Sequence, residues 1–102
     1  MKKEALKKTE RKLRDLRNEL SEIGNMRPGT LSIQYRKPEE QKYAFHQLSY
    51  TFKGKSRSEY VRAENVEAVK CELNAFKKFK ALSEEIVELS IEASRIRFKR
   101  EK

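Results

Sequence analysis

The sequence has few of the residues that build catalytic or metal sites. Its 102 residues include one cysteine, one histidine, three glycines, two prolines and no tryptophan. The lone cysteine, Cys71, excludes an intrachain disulfide, and it shares no metal-ligand spacing with the lone histidine, His46. Its place in a helical apolar pattern predicts that Cys71 is a packing residue. Glycine is too sparse for a phosphate-binding loop. We therefore expect no enzyme activity, no cofactor and no bound metal.

Long apolar runs are missing as well. No stretch of the sequence approaches the roughly 20 apolar residues of a membrane span. A single thiol is typical of a reducing compartment, so we expect a cytoplasmic protein without a membrane partner. Charged residues make up 40% of the chain and hydrophobic residues 36%, which favours amphipathic helices with solvated outer faces over a large core.

The centre of the chain has the pattern of a β-hairpin. Residues 42–52 and 56–62 predict two strands that are joined at Lys53-Gly54-Lys55. By alternation, the face of the first strand that includes Leu48 and Tyr50 is the more apolar, so we expect it to pack on a helix. Residues 30–36 also alternate and predict a third strand, antiparallel to 42–52.

Helical patterns flank this meander on both sides. Leu6, Leu13 and Leu20 recur every seven residues in a predicted helix over 3–23, and apolar residues step by three or four through a predicted helix over 64–97. These elements predict an α+β fold of order α-β-β-β-α in one domain over 1–98, with a basic tail over 99–102. The expected architecture is an antiparallel helical hairpin packed with a small three-stranded antiparallel meander.

The expected core and helix pairing follow from the same patterns. If the first helix ends opposite the start of the second, the basic N-terminus lies near Glu84, Glu85 and Glu88 and is partly neutralised. The far end of the second helix would keep an uncovered stripe, which predicts a homodimer or a protein partner through that helix. The stripe is Ile86, Leu89, Ala93 and Ile96, and the expected core is Leu13, Leu16, Leu20, Ile23, Leu31, Ile33, Leu48, Tyr50, Val69, Leu73 and Phe76.

The formal net charge of +9 favours polyanionic partners, with nucleic acid first and an anionic membrane surface second. The alternative is a solvated basic protein with no such partner. Three cationic clusters are candidate phosphate-contacting sites: one on the hairpin, one in the middle of the second helix with the facing part of the first, and one at the C-terminal end. They comprise Lys53, Lys55, Arg57 and Arg62, then Lys77, Lys78 and Lys80 with Lys8, Arg11 and Lys12, and finally Arg95 and Arg97.

Two interpretations of the hairpin residues remain open. Its aromatic side chains, Tyr43, Phe45 and Tyr60, stack on unpaired bases if they are exposed, or they belong to the core. Its lysines contact phosphates, or they protect an edge strand from pairing with other chains.

The central pattern resembles a family of small prokaryotic proteins of unknown function that are often encoded near mobile elements. The resemblance rests on Leu48-Ser49-Tyr50, Gly54-Lys55, Arg57, Tyr60-Val61, and the helical stretch 76–89 with Val66 and Val69. It implies a helix, a three-stranded meander and a long helix. Family members commonly carry a cysteine cluster between the first two strands, where this chain has 36–41 without cysteine, so no metal role follows.

The sequence thus predicts a non-enzymatic nucleic-acid-binding protein, such as an accessory subunit of a ribonucleoprotein or of a mobile element. The alternative is a helical adaptor that docks a protein partner through the exposed seam of the long C-terminal helix.

Overall fold

The computed structural model describes residues 2–99 and has the predicted order α-β-β-β-α, an α+β fold. Short 3-10 turns, Pro38–Glu40 and Ala63–Asn65, precede the second strand and the second helix. Each predicted boundary lies within two residues of the observed one. The elements are α1 (Lys2–Ser21), β1 (Thr30–Lys37), β2 (Lys42–Phe52), β3 (Lys55–Val61) and α2 (Val66–Phe98). Of the predicted basic tail, residues 100–102 lie outside the described residues.

The three strands form an antiparallel meander in the order β1-β2-β3. Lys53 and Gly54 form a two-residue turn between β2 and β3, and both have positive φ, 52° and 76°. Two consecutive positive φ values are typical of a type I′ turn, whose twist matches that of the flanking strands. The turn fixes the register, so that Tyr50 pairs with Arg57 and Leu48 with Glu59.

The chain divides into two compact units. The first combines Met1–Gly24 with Lys78–Lys102, and the second is Asn25–Lys77. In the second unit, one face of the sheet is covered by the first turns of α2, and we call it the helix-side face. Its fully buried Leu48 packs in a cluster with Val61, Val66 and Leu73. The prediction that the Leu48 face packs on a helix is confirmed.

Gly29 immediately precedes β1, at a place where the backbones approach closely. It has φ of +133°, and a Cβ atom there would lie 2.8 Å from the carbonyl oxygen of Ser49 and 2.9 Å from Cδ1 of Leu48. No residue with a side chain fits this position without displacing β2. The approach seats the start of β1 against the core.

Arg27 closes the helix-side face beside Tyr50. Its guanidinium lies 5.2 Å from the Tyr50 ring centroid and donates a hydrogen bond to Glu59, while its backbone N–H donates to the Glu72 carbonyl at 3.2 Å. The Arg27 hydrogen bond lowers the pKa of Glu59, partial burial opposes it, and Tyr50 lowers it further. This arrangement ties the segment before β1 to both β3 and α2.

In the first unit, α1 packs along the C-terminal part of α2. Leu13 and Ala93 are both buried, and with Arg17 and Ser90 they line one depression. Thr9 is also buried, and its hydroxyl donates to the Ala5 carbonyl at 3.0 Å, which satisfies it within the helix. The apolar seam of α1 therefore packs against α2, as its heptad pattern predicts.

Three sequence expectations are wrong. Ile33 is 56% exposed rather than part of the core, because it lies on the outer strand β1, across β2 from Val61, and the core cluster reaches β1 only at Leu31. Cys71 is exposed, not a packing residue. Ala93 does not belong to an uncovered stripe, since it is buried near Leu13, and Ile86, Leu89 and Ile96 are half-buried.

The expected helix register is also wrong. It placed the end of α1 opposite the start of α2 in an antiparallel pair, which would put Leu13 opposite position 75. In the structure Leu13 lies beside Ser90 and Ala93. The expectation assumed that the first helix meets the sheet by its end and the second helix by its start. Eight residues, 22–29, separate α1 from β1 and can extend over roughly 25 Å, so the end of α1 need not lie opposite the start of α2.

Candidate nucleic-acid interface

The face of the sheet opposite the core cluster is the candidate interface, and we call it the open face. Side chains alternate along each strand, and directly paired residues share a face, so the register assigns the paired positions. Arg36 is unpaired and is assigned by its alternation with Gln34 and by its contact with the Phe45 ring. None of the open-face side chains is a carboxylate. They are Thr30, Ser32, Gln34 and Arg36 from β1, Phe45, Gln47, Ser49 and Thr51 from β2, and Ser56, Ser58 and Tyr60 from β3.

Two aromatic rings stand on the open face. Tyr60 is 62% exposed and Phe45 is half-buried, and their ring centroids lie 6.2 Å apart with the planes tilted by 47°. The guanidinium carbon of Arg36 lies 5.9 Å from the Phe45 centroid, within the range of a cation–π interaction. The face therefore offers exposed π surface beside a positive charge.

Neutral hydrogen-bonding groups surround these rings. Gln34 pairs across the strands with Phe45, and Gln47 pairs with Tyr60, so each ring has an amide beside it. The Gln34 amide donates to the Ser32 hydroxyl at 3.2 Å, and that hydroxyl donates to the Gln47 backbone carbonyl at 3.4 Å. Amides and hydroxyls can bind base edges, sugars or phosphates without charge repulsion.

Arg62 follows β3 directly and continues the alternation of the open face. Its guanidinium lies 3.8 Å from a carboxylate oxygen of Glu64, and both side chains are more than 70% exposed. An ion pair this exposed contributes about 0–1 kcal/mol, so a phosphate can compete for the guanidinium. Among the predicted site residues, Arg62 is the one that extends the open face.

The other hairpin cations lie elsewhere. Lys55 and Arg57 pair with Phe52 and Tyr50, which assigns them to the helix-side face, and Lys53 lies in the turn with its amine 5.4 Å from the Phe52 centroid. Arg57 nevertheless borders an open depression of about 430 Å³ at the hairpin end. The hydroxyl residues that line this depression are Thr30, Ser49, Thr51, Ser56 and Ser58.

Lys77 lies near the beginning of β1 in the same unit. It lines a depression with Gly29, Thr30 and Lys70. Cations therefore border the sheet at the start of β1 and around the hairpin end.

The remaining predicted site residues belong to the first unit and are all exposed: Lys8, Arg11, Lys12, Lys78, Lys80, Arg95 and Arg97. Arg97 borders the depression that holds Leu13 and Arg17. Ala93 lies thirteen residues beyond Lys80, about 20 Å along the helix axis. The predicted grouping of Lys78 and Lys80 opposite Lys8, Arg11 and Lys12 therefore does not form, because Leu13 lies at Ala93 instead.

The predicted neutralisation of α1 by α2 is also wrong. Within the described residues, no cation from Lys3 to Arg17 is in an ion pair with a described carboxylate. Lys53, Arg57, Lys77 and Lys80 likewise have no described carboxylate within 4 Å. Lys53, Lys77 and Lys80 therefore keep their charge available to a polyanion, whereas the charge of Arg57 also helps to lower the pKa of Glu59.

Other kinds of site have little support in the described part of the chain. His46 is half-buried in mid-strand between Ile33 and Val61, and residues 2–99 contain no group of three or more potential metal ligands. Neither α1 nor α2, as far as they are described, combines the length and the apolar character needed to cross a bilayer.

Sequence reasoning missed Arg36, Gln34 and Gln47. It grouped cations by their distance along the chain, which selected Lys55 and Arg57 beside the turn. The period-two pattern that predicted the strands also assigns Gln34, Arg36 and Gln47 to one face, opposite Leu48. Grouping by face would have found them.

Comparisons with protein-family models, with curated proteins and with solved structures find no match to this chain. The resemblance to a family encoded near mobile elements stays a prediction.

Proposed function

We propose that this chain is a non-enzymatic nucleic-acid-binding protein whose interface is the open face of the sheet. The observation that carries the proposal is that the strands place arginine, exposed aromatic and neutral polar side chains on this face and no carboxylate. The strands carry one carboxylate, Glu59, and its pairing with Leu48 assigns it to the helix-side face. We propose that this chain acts as an accessory subunit of a ribonucleoprotein or of a mobile element.

The chemistry of the face favours nucleic acid over other polyanions. Phosphates account for the arginines, Arg36 and Arg62, but an acidic protein partner would leave Tyr60 and Phe45 without a role. Bases supply flat π surfaces that match aromatic rings, and amides beside those rings match base edges. The cations of the hairpin end and of the first unit would then add sequence-independent attraction, so binding should weaken as salt rises.

The test compares double variants that each remove two positive charges from a different surface. Arg36→Gln with Arg62→Gln changes the open face, Lys55→Gln with Arg57→Gln the helix-side face, and Lys78→Gln with Lys80→Gln the first unit. The probe is a fluorescein-labelled oligonucleotide of mixed sequence, followed by anisotropy at several salt concentrations. The open-face variant is expected to lose the most affinity, about tenfold or more, because its cations lie beside the bases as well as the phosphates.

Equal losses in all three variants would mean that affinity follows net charge alone, and the open face would not be the interface. Absence of binding by the unaltered protein at about 50 mM salt would remove the function itself. Thermal unfolding of each variant excludes loss of fold as the cause.

A second candidate function rests on a different observation. Val87, Ile91 and Phe98 are exposed on α2 at spacings of four and seven residues, which places them on one stripe. Four glutamates occur in 84–92, and Arg95 and Arg97 follow. Antiparallel pairing of two copies about Ile91 would set each Ile91 against its counterpart and bring Glu88 to within one residue of the position opposite Arg95 of the second copy. We therefore propose a second copy of this chain as the occupant of this stripe.

Analytical ultracentrifugation tests that pairing. The expected result is a concentration-dependent dimer that weakens about tenfold in Ile91→Glu, while Ile33→Glu, an equivalent change at an exposed isoleucine of the sheet, leaves it unchanged. A monomer at all concentrations would remove this candidate without affecting the nucleic-acid proposal.

A further inference from the structure

The inference concerns which form of nucleic acid the open face binds, and it rests on the proposed function. We infer that the ligand is single-stranded, with one base stacked on the Tyr60 ring and a neighbouring base on the Phe45 ring. The two rings lie 6.2 Å apart and Tyr60 is largely exposed. In a duplex the faces of the bases are already stacked on one another, so rings of this kind have nothing to bind.

The shape of the sheet also disfavours a duplex. Strands lie about 4.8 Å apart, so the outer strands of a three-stranded sheet are about 10 Å apart before side chains are added. The major groove is about 12 Å wide and admits a helix or a two-stranded ribbon. A three-stranded face with Phe45 on its central strand would meet the phosphates at the groove edges before its rings reached the bases.

The surroundings of the rings give each part of a single strand a partner. Gln47 is the cross-strand neighbour of Tyr60 and Gln34 that of Phe45, so an amide with donors and an acceptor lies beside each stacking position. The Arg36 guanidinium lies 5.9 Å from the Phe45 centroid and would turn toward a phosphate when a base takes its place on that ring. Arg62 follows Tyr60 by two residues on the same side of its strand. Bases would therefore lie over the middle of the sheet, with phosphates toward the two guanidinium groups.

Stacking is tolerant of sequence, because every base has a π face. The few amides of the open face can favour some bases, but they do not supply a complete donor and acceptor code. We expect weak sequence preference and a clear preference for unpaired over paired strands.

The experiment compares three fluorescein-labelled probes of one sequence, about 12 nucleotides long: single-stranded DNA, single-stranded RNA and duplex DNA, at about 100 mM salt. The full-length protein is expected to bind the single strands at least about tenfold more tightly than the duplex. Tyr60→Ala is expected to lower single-strand affinity about tenfold and to leave duplex affinity unchanged, because duplex binding uses phosphates alone. Tyr60→Phe keeps the ring and should keep the affinity.

Phe52→Ala is the matched control. Phe52 is 59% exposed, close to the 62% of Tyr60, but it lies on the helix-side face. Its removal should change single-strand affinity less than about twofold. A single strand with 2-aminopurine at its centre adds a direct readout, since its fluorescence is expected to fall on binding to the unaltered protein and less on binding to Tyr60→Ala.

The outcomes separate the two proposals. Equal binding of single strand and duplex, or an unaltered affinity in Tyr60→Ala while Arg36→Gln with Arg62→Gln weakens binding, overturns the single-strand inference and leaves nucleic-acid binding standing. No binding of any probe overturns both. Equal losses in Tyr60→Ala and Phe52→Ala would assign the effect to the hairpin as a whole, and this result also overturns the inference.

Discussion

The three glycines provide a graded test of how β1 is seated against β2. Gly24 has room for a Cβ atom and no unusual φ, Gly54 has room but a φ of +76°, and Gly29 has a φ of +133° and a Cβ position 2.8 Å from a backbone carbonyl oxygen. Alanine at position 24 therefore introduces no strain, alanine at position 54 introduces backbone strain alone, and alanine at position 29 introduces backbone strain together with a steric clash.

The expected losses of unfolding free energy follow from these differences. Gly24→Ala should be neutral or should stabilise by up to about 1 kcal/mol, because alanine lowers the conformational entropy of the unfolded chain. Gly54→Ala should cost about 1–2 kcal/mol for a left-handed alanine. Gly29→Ala should cost about 2–4 kcal/mol, because the backbone strain is joined by a clash that only a shift of β2 can relieve. A loss of that size is a large part of the stability of a domain this small.

Tyrosine fluorescence in urea is the assay. All four tyrosines lie in 25–77 and the chain has no tryptophan, so the signal reports the second unit. The midpoint should decrease in the order Gly24→Ala, Gly54→Ala, Gly29→Ala. If Gly29→Ala is no less stable than Gly54→Ala, the close approach at Ser49 does not seat β1 and the reasoning is refuted.

Three further predictions concern the ion pair between Arg27 and Glu59, the core of the second unit and the packing of α1 in the first unit. Because the pKa of Glu59 is lowered in the folded state, the contribution of this carboxylate to stability is complete above the ordinary glutamate pKa of about 4.3 and is lost as pH falls through the lower folded-state pKa. Glu59→Gln should therefore flatten the acid side of a profile of unfolding free energy against pH. An unchanged profile would show that the pairing of Arg27 with Glu59 contributes nothing to stability. Leu48→Ala should cost about 2–5 kcal/mol in urea unfolding, against less than about 1 kcal/mol for the exposed Ile33→Ala, and similar losses would contradict the assigned core. Ala93→Leu should destabilise by about 1–3 kcal/mol through overpacking beside α1, as measured by helical circular dichroism, and a gain in stability would mean that the site is open.

Local sequence rules predicted most of the fold. Alternation fixed the three strands, Lys53-Gly54 fixed the turn, and the spacing of apolar residues fixed both helices to within two residues. These signals depend on neighbours a few residues apart, which a sequence displays directly. The orientation of the Leu48 face followed from the same alternation.

Long-range features were predicted less well. The pairing of α1 with α2 was wrong because heptads of similar composition permit several registers, and the small residue Ala93 that receives Leu13 resembles other helix positions in sequence. The exposure of Ile33 depends on how far the core cluster extends across the sheet, which alternation does not specify.

The candidate interface was predicted in part. Arg62 and the aromatic residues Phe45 and Tyr60 were identified, but the sequence could not decide whether these rings were core or surface. That depends on which face of the sheet the helix covers. The structure places Leu48 under the helix and Tyr60 on the other side.

The most direct test of the central claim is a proton–nitrogen NMR titration with a single-stranded oligonucleotide. The side-chain amides of Gln34 and Gln47 lie on the open face, whereas Asn18 lies on α1 and Asn65 lines a depression with Arg27 and Glu59. The account predicts that the amide resonances of Gln34 and Gln47 shift as ligand is added and that those of Asn18 and Asn65 stay in place. Shifts confined to Asn18 and its neighbours on α1, with Gln34 and Gln47 unmoved at saturation, would contradict it.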